Sequence, residues 1–330
     1  MPQINNKKLS SKSSLKSGNY LKSRKHFFNS SKLFYAQITD IFDYLWPTVT
    51  ALKNLRWQVN GYYHISKATD NLTLTQKFVD PDDITNRPNL FRICIDEEWV
   101  DQERQLAKSL LVNLIACYET WCEMILQELQ VNINQSKKLQ FPSDCPSLIA
   151  SICSVPSITL TNCYYDVYKD ANNDANYAHI NNYLTVFRYF KECRNTLLHS
   201  KGVITNNILS HYTNMVSIPL ADLDIAEMPE AFSGNAGDPL QYSLRGVVGF
   251  AQILMKIVAV LDFELIKSIK AESYYVRTIK AAMTQRRYGR AEIGRKKSTA
   301  TSISRRHFFA DSHTPEDLYV FLQTKGIIGQ

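Results

Sequence analysis

The sequence lacks the signatures of several common protein classes. Its seven cysteines include no Cys-x-x-Cys pair and lie mostly within apolar runs, which argues against a zinc knuckle and against a disulfide framework. It has no glycine-rich phosphate loop, and no histidines stand at metal-ligand spacing. We therefore expect no metal and no cofactor. Free cysteines in apolar runs are typical of a reducing compartment, so we expect a cytoplasmic protein.

Signals for membrane insertion are also missing. The N-terminus has no compact apolar core of the kind found in signal peptides. The most hydrophobic stretch, residues 246–266, is interrupted by Gln252, Lys256, Asp262 and Glu264. We expect no contact with a membrane and a largely buried helix at this position.

Glycine and proline are scarce, with 11 of each in 330 residues. Long stretches free of both favour helices over an architecture with many turns. A hydrophobic content of 45% is enough for one large or two modest cores. The composition predicts an all-α protein.

Charge is distributed unevenly along the chain, whose net charge is +7. Residues 1–39 have eight Lys and Arg and no acid, and residues 267–307 have twelve against Glu272 and Glu292. Residues 40–266 are net acidic, with 17 basic and 26 acidic residues. Two basic ends on an acidic body indicate a polyanionic partner. The alternative is a solvated tail and a polar helix without a partner.

Hydrophobic spacing and turn residues divide the chain into four segments. We predict a disordered basic tail over 1–32, an N-terminal helical segment over 33–90, a helical domain over 91–271 and a basic C-terminal segment over 272–330. In the second segment, apolar spacing predicts a helix from Leu33 to Trp46, and Pro47 starts or kinks the next helix.

Three long helices are predicted in the 91–271 domain. They cover about 96–130, 178–200 and 239–271, with Lys201-Gly202 as the stop signal of the second helix and Asp238-Pro239 as the start of the third. Residues 132–177 are expected to connect the first two with one short helix, and residues 203–237 to be irregular or to form a short hairpin.

The second of these helices contains the motif R-N-T-L-L-H. Asn195 and His199 are four residues apart and share a helix face, whereas Arg194 lies about 140° around the helix from His199. His199 falls in the last turn, where the helix dipole favours imidazolium. This placement suits general acid–base chemistry.

The motif and its setting resemble those of the HEPN superfamily. Ribonucleases of that superfamily have an arginine, a polar residue, three further residues and a histidine near the end of a helix in a bundle, and Arg194, Asn195 and His199 match each position. The resemblance covers roughly residues 95–270. The helix around Glu119 looks like the family's earlier core helix, which often has an acidic residue. The flanks 1–90 and 271–330 are not explained by it.

The resemblance implies a metal-independent endoribonuclease that acts as a homodimer with a composite site. His199 would serve as general acid or base, Arg194 would stabilise phosphate charge, Asn195 would orient His199 or the phosphate, and Glu119 would assist. Through the family it also implies a toxin or an anti-phage defence effector, with a regulatory protein or antitoxin as partner. A basic cluster interleaved with Tyr288 is expected to contact the RNA: Arg286, Arg287, Arg290, Arg295, Lys296 and Lys297.

Three alternatives remain at this point. Arg194, Asn195 and His199 could merely satisfy carbonyls near the helix end and a carboxylate such as Glu119 or Glu192. The chain could bind RNA or act as a scaffold without cutting. It could also be a protein-interaction module in which the 239–271 helix forms an oligomer seam.

Overall fold

A computed structural model describes seven stretches of the chain. They are residues 25–66, 70–79, 88–199, 202–225, 234–284, 293–308 and 311–328. At residues 284, 293–297, 299 and 300 only the backbone is described.

The described stretches are all-α, as the composition predicts. They contain no β-strand and only two isolated bridges, Val203 with Pro239 and Pro156 with Ser268. The α-helices are α1 Asn29–Ser66, α2 Asn71–Phe78, α3 Trp99–Glu128, α4 Gln135–Gln140, α5 Cys145–Ile152, α6 Ile158–Leu160, α7 Asp166–Ala171, α8 Ile180–His199, α9 Asn206–Val216, α10 Leu220–Leu223, α11 Leu244–Leu265, α12 Ile269–Thr284, α13 Ile293–Phe308 and α14 Pro315–Thr324. Two π-helical turns, Arg92–Asp96 and Thr161–Tyr165, and a 3-10 turn, Tyr177–His179, complete the helical content.

Helix α11 is the centre of the bundle. It is buried on nearly all sides: eighteen of its 22 residues are buried, including the charged Lys256, Asp262 and Glu264, and α1, α3 and α8 pack against it. Its predicted start was wrong: Ser243 caps the helix by accepting a hydrogen bond from the Gly246 N–H, whereas Pro239 pairs with Val203. Its predicted end at 271 was wrong as well, because a turn at 266–268 separates α11 from α12.

The predicted basic tail over 1–32 was wrong for its last residues. Residues 1–24 lie outside the described stretches, but Phe27 and Phe28 are fully buried in the main core and α1 begins at Asn29. The backbone N–H groups of Phe27 and Phe28 donate to the two carboxylate oxygens of Asp262, at 2.7 and 3.2 Å. The apolar burial and this carboxylate hold the segment in place.

Helix α1 is one continuous helix of 38 residues, with Pro47 in its interior. Its first half packs in the main core, and its second half belongs to a separate small cluster formed by Val59, Leu74, Leu90 and Cys94. Because α1 crosses from one cluster to the other, the 33–90 segment is joined to the bundle by an unbroken helix.

The C-terminal segment is part of the bundle, so the boundary predicted at 271 does not separate it. That boundary falls inside α12, and α13 and α14 bury Phe308 and Phe321 in the main core. The buried hydroxyl of Ser304 lies within hydrogen-bond distance of the hydroxyls of Tyr164 and Tyr275, at 2.5 and 3.0 Å.

The connections contain more helix than the sequence predicts. Residues 132–177 form α4 to α7 rather than one short helix, and residues 203–237 contain α9 and α10 rather than a hairpin. These helices have between three and eleven residues, too few to show a clear hydrophobic periodicity of their own.

All seven cysteines are free thiols, and five of them are buried, as predicted. Two helices, α3 and α11, are long and apolar enough to cross a membrane by length and composition alone. In α11, 78% of the most apolar window is buried inside the protein, and in α3 half of it is. Packing within the bundle accounts for the apolarity of α11.

We predict that Asp262 makes stability depend on pH. Burial raises the pKa of Asp262 to about 7, although its hydrogen bonds with Phe27, Phe28 and Ser31 act in the opposite direction. The native state therefore holds a proton that the unfolded state releases near its ordinary pKa of 3.8. Stability should fall between about pH 4 and 7, by at most about 1.4 kcal/mol per pH unit, and level off above that range.

Urea unfolding of the wild type and Asp262→Asn between pH 5 and 8 measures this effect. The free-energy difference between the two should shrink as pH rises to 7, and the exposed control Asp170→Asn should show no such change. A difference that does not vary with pH would contradict the prediction.

Candidate functional site

Helix α8 positions the predicted motif at its C-terminal end. Its inner face buries Tyr183, Phe187 and Phe190 against the bundle, so the helix is fixed in rotation. It ends at His199, where Gly202 adopts a left-handed conformation with φ of +71° and donates its N–H to the Thr196 carbonyl at 3.1 Å. This is the glycine stop that the sequence predicts.

The structure brings Arg194 and Glu119 together. Nη2 of Arg194 donates to Oε1 of Glu119 on α3 at 2.5 Å, which joins α3 and α8. The Arg194 side chain is 18% exposed and that of Glu119 37% exposed, so the ion pair is partly shielded from water. The Nε–H of Arg194 is buried and has no hydrogen-bond partner among the described residues. The guanidinium thus keeps a donor unused.

Asn195 and His199 lie on the outside of the bundle. Asn195 is half-buried and His199 is exposed, and neither side chain makes a hydrogen bond within the described stretches. Leu198, between them in sequence, is 54% exposed. The last turn of α8 therefore presents two free polar groups and one apolar side chain to the surroundings.

A single chain does not aim Arg194 and His199 at one point. Arg194 is directed toward α3 by its bond with Glu119, and His199 is five residues further along the helix, about 140° around its axis. Any site that uses both side chains on one phosphate needs either a rearrangement of Arg194 or a second copy of α8.

The structure describes only part of the predicted RNA-contacting cluster. Arg286, Arg287 and Arg290 lie outside the described stretches. Arg295, Lys296 and Lys297 lie in the first turns of α13, where the backbone alone is described. The later turns of the same helix are anchored in the core through Ser304 and Phe308.

The described residues contain no group of three or more His, Cys, Asp and Glu side chains that could hold a metal ion. What the arrangement offers instead is hydrogen-bond donors and an imidazole. An imidazole can exchange a proton near neutral pH, and a guanidinium can bind phosphate oxygens.

Sequence reasoning missed a cavity of about 470 Å³ beside the N-terminal half of α3. Its lining comes from two distant parts of the chain: Arg92, Glu97, Asp101, Arg104, Gln105 and Lys108, with Pro239, Leu240, Gln241 and Tyr242. The only sequence signal was the placement of Arg104 and Lys108 four residues apart on one helix face.

We expect the Arg194–Glu119 pair to stabilise the fold. In a double-mutant cycle with Arg194→Gln and Glu119→Gln, the coupling free energy should be about 1–2 kcal/mol, because removing one partner leaves a partly buried charge unpaired. Chemical unfolding of the four proteins gives the value. The exposed pair Arg305–Asp311, with 2.7 Å between Nε and Oδ1, serves as control and should show a coupling free energy near zero. A coupling no larger than that of the control would mean that the fold does not depend on the pair.

Comparisons of the chain with models of known protein families, with characterised proteins and with solved structures found no significant match. Any statement about function therefore rests on the residues and geometry described above.

Proposed function

We propose that this chain is a metal-independent endoribonuclease of the HEPN type that acts as a homodimer. One observation supports the proposal most strongly. At the end of α8, Asn195 and His199 face outward on one side of the helix, while Glu119 fixes Arg194 on another side. Because one chain leaves Arg194 and His199 pointing apart, a composite site from two α8 ends is the simplest way to place both on one phosphate.

The chemistry follows from the groups that the site would hold. The imidazole of His199 accepts the proton of a ribose 2′-hydroxyl, whose oxygen attacks the adjacent phosphorus. The bond from phosphorus to the 5′-oxygen breaks, and a protonated imidazole, for example that of the second copy, returns a proton to this oxygen. The products are a 2′,3′-cyclic phosphate and a 5′-hydroxyl, so no oxidant or metal is required.

Arg194 and Asn195 would act on the phosphate. The guanidinium of Arg194 balances the negative charge that develops on the phosphate oxygens. Its bond with Glu119 limits the rotamers that it samples before RNA arrives, which lowers the entropy lost on binding. Asn195 shares a helix face with His199 and can orient the imidazole or donate to the phosphate.

The biological setting belongs to the same proposal. The resemblance implies a cytoplasmic toxin or anti-phage defence effector, restrained by an antitoxin or another regulatory protein until it is needed.

A non-catalytic RNA-binding protein or scaffold is the second candidate. The observation in its favour is the Arg194–Glu119 bond, which gives Arg194 a purely structural task. In that case the basic cluster at 286–297, and not His199, determines the affinity for RNA.

Cleavage of mixed cellular RNA in the presence of EDTA tests the enzyme directly. We expect wild-type protein to cut, and His199→Ala and Arg194→Ala each to lose at least about a hundredfold in rate, because an acid–base residue and a positioned charge stabiliser each contribute about that much. The matched control is His64→Ala, an exposed histidine on α1. All four proteins are checked for folding and for oligomeric state. Equal activity in His199→Ala and wild type would refute the mechanism.

Neutralising the basic cluster separates the two candidates. We expect the triple variant Arg295→Gln, Lys296→Gln and Lys297→Gln to bind RNA more weakly and with a smaller salt dependence. With fewer phosphate contacts, fewer counterions are released from the RNA on binding. Under the scaffold hypothesis, His199→Ala leaves both RNA binding and every other activity unchanged. RNA affinity that is unaffected by the triple change would remove the cluster from the proposal.

A further inference from the structure

The cavity beside α3 has three walls. Asp101, Arg104, Gln105 and Lys108 come from α3, and Pro239–Tyr242 comes from the segment before α11. The third wall is the π-helical turn Arg92–Asp96 with Glu97, which Arg56 secures by donating to the carbonyls of Ile93 and Glu97.

The charges lining the cavity leave one cation unbalanced. Arg92 pairs with Glu97, with 2.7 Å between Nε and Oε1, and Arg104 pairs with Asp101 at 2.7 Å. Lys108 has no ion-pair or hydrogen-bond partner among the described residues. Its ammonium group can therefore bind an anion without first breaking a bond in the protein.

Arg104 is held in a fixed geometry at the cavity wall. Nη1 contacts Asp101, and Nη2 donates to the side-chain oxygen of Gln241 at 2.9 Å. Because both ends of the guanidinium are anchored, little side-chain entropy remains to be lost when a ligand binds. The amides of Gln105 and Gln241 add donors and acceptors of the kind that read the edges of bases.

The cavity is connected to the end of α8. The Gly202 carbonyl, three residues after His199, accepts a hydrogen bond from the Leu240 N–H at 2.8 Å, and Val203 pairs with Pro239. Three residues span at most about 11 Å. The cavity wall formed by Pro239 and Leu240 therefore lies beside the turn that follows His199.

Helix α3 connects the same two places. Lys108 and Glu119 are eleven residues apart, close to three full turns, so they lie on one face about 16 Å apart. Ile115 on this face is fully buried, but a strand lying along its outer edge, over Val112 and Ala116, would meet the Arg194–Glu119 pair at one end and Lys108 at the other. That span covers a few nucleotides of single-stranded RNA.

We infer that this cavity binds a nucleotide, with Lys108 and Arg104 at its phosphate and Gln105 and Gln241 at its base. The inference rests on the proposed ribonuclease function for the choice of occupant, which is a nucleotide of the RNA strand a short distance from the cleaved bond. A free mononucleotide offers the same phosphate and base. Binding of RNA is therefore compared with binding of ribonucleoside monophosphates.

The experiment measures binding without cleavage. Full-length protein with His199→Ala is titrated into a labelled single-stranded RNA of about 12 nucleotides and, separately, with the four ribonucleoside monophosphates. Lys108→Gln is compared with Lys138→Gln in the same background. Lys138 is an exposed lysine on α4, which follows the opposite end of α3.

We expect Lys108→Gln to weaken RNA binding roughly threefold to tenfold at low salt and to lower the slope of log affinity against log salt by about 0.7, the value for one phosphate contact on a single strand. Lys138→Gln should change neither. A loss confined to the monophosphates would support the nucleotide site and assign it to a free nucleotide.

Equal effects of Lys108→Gln and Lys138→Gln on both ligands would overturn the inference. This outcome is independent of the enzyme test. If wild-type protein binds RNA through Lys108 but never cuts it, the ribonuclease proposal is refuted and the nucleotide site stands. If it cuts RNA but Lys108 contributes nothing to binding, the nucleotide site is refuted and the ribonuclease proposal stands.

Discussion

Burial of α11 is the constraint on which the rest of the structure depends. A mostly apolar helix must be covered on nearly every side, and α1, α3 and α8 provide that cover. Their packing on α11 fixes the rotation of α3 and α8, and with it the meeting of Glu119 and Arg194. Two charged side chains of α11 have partners inside this core: Asp262 accepts backbone N–H groups, and Lys256 bonds with Asp174 and Asp224.

The long helices were predictable because their pattern is local. Residues spaced three and four apart along α3 and α8 identify a buried face, and Gly202 marks where α8 ends. The two ends of the chain were not. Charge density around Phe27 and Phe308 resembles that of a solvated tail, and only the tertiary structure shows that these aromatic side chains complete a core formed elsewhere.

The candidate site was predictable to a similar degree. The spacing of Arg194, Asn195 and His199 could be read from one helix. Glu119, which pairs with Arg194, was one of the two carboxylates that the sequence offered as a partner. The cavity beside α3 could not be read in this way, because Lys108 and Gln241 meet only through tertiary packing. Sequence patterns report faces of single helices, whereas cavities form between elements.

The anchoring of residues 25–32 has a consequence for synthesis of the chain. Phe27 bonds to Asp262, 235 residues later, and Lys32 donates to the carbonyl of His307. Contacts of such long range form late, so the bundle cannot close while the ribosome is still adding the C-terminal third. A nascent chain thus has α8 before it has the complete core that positions this helix.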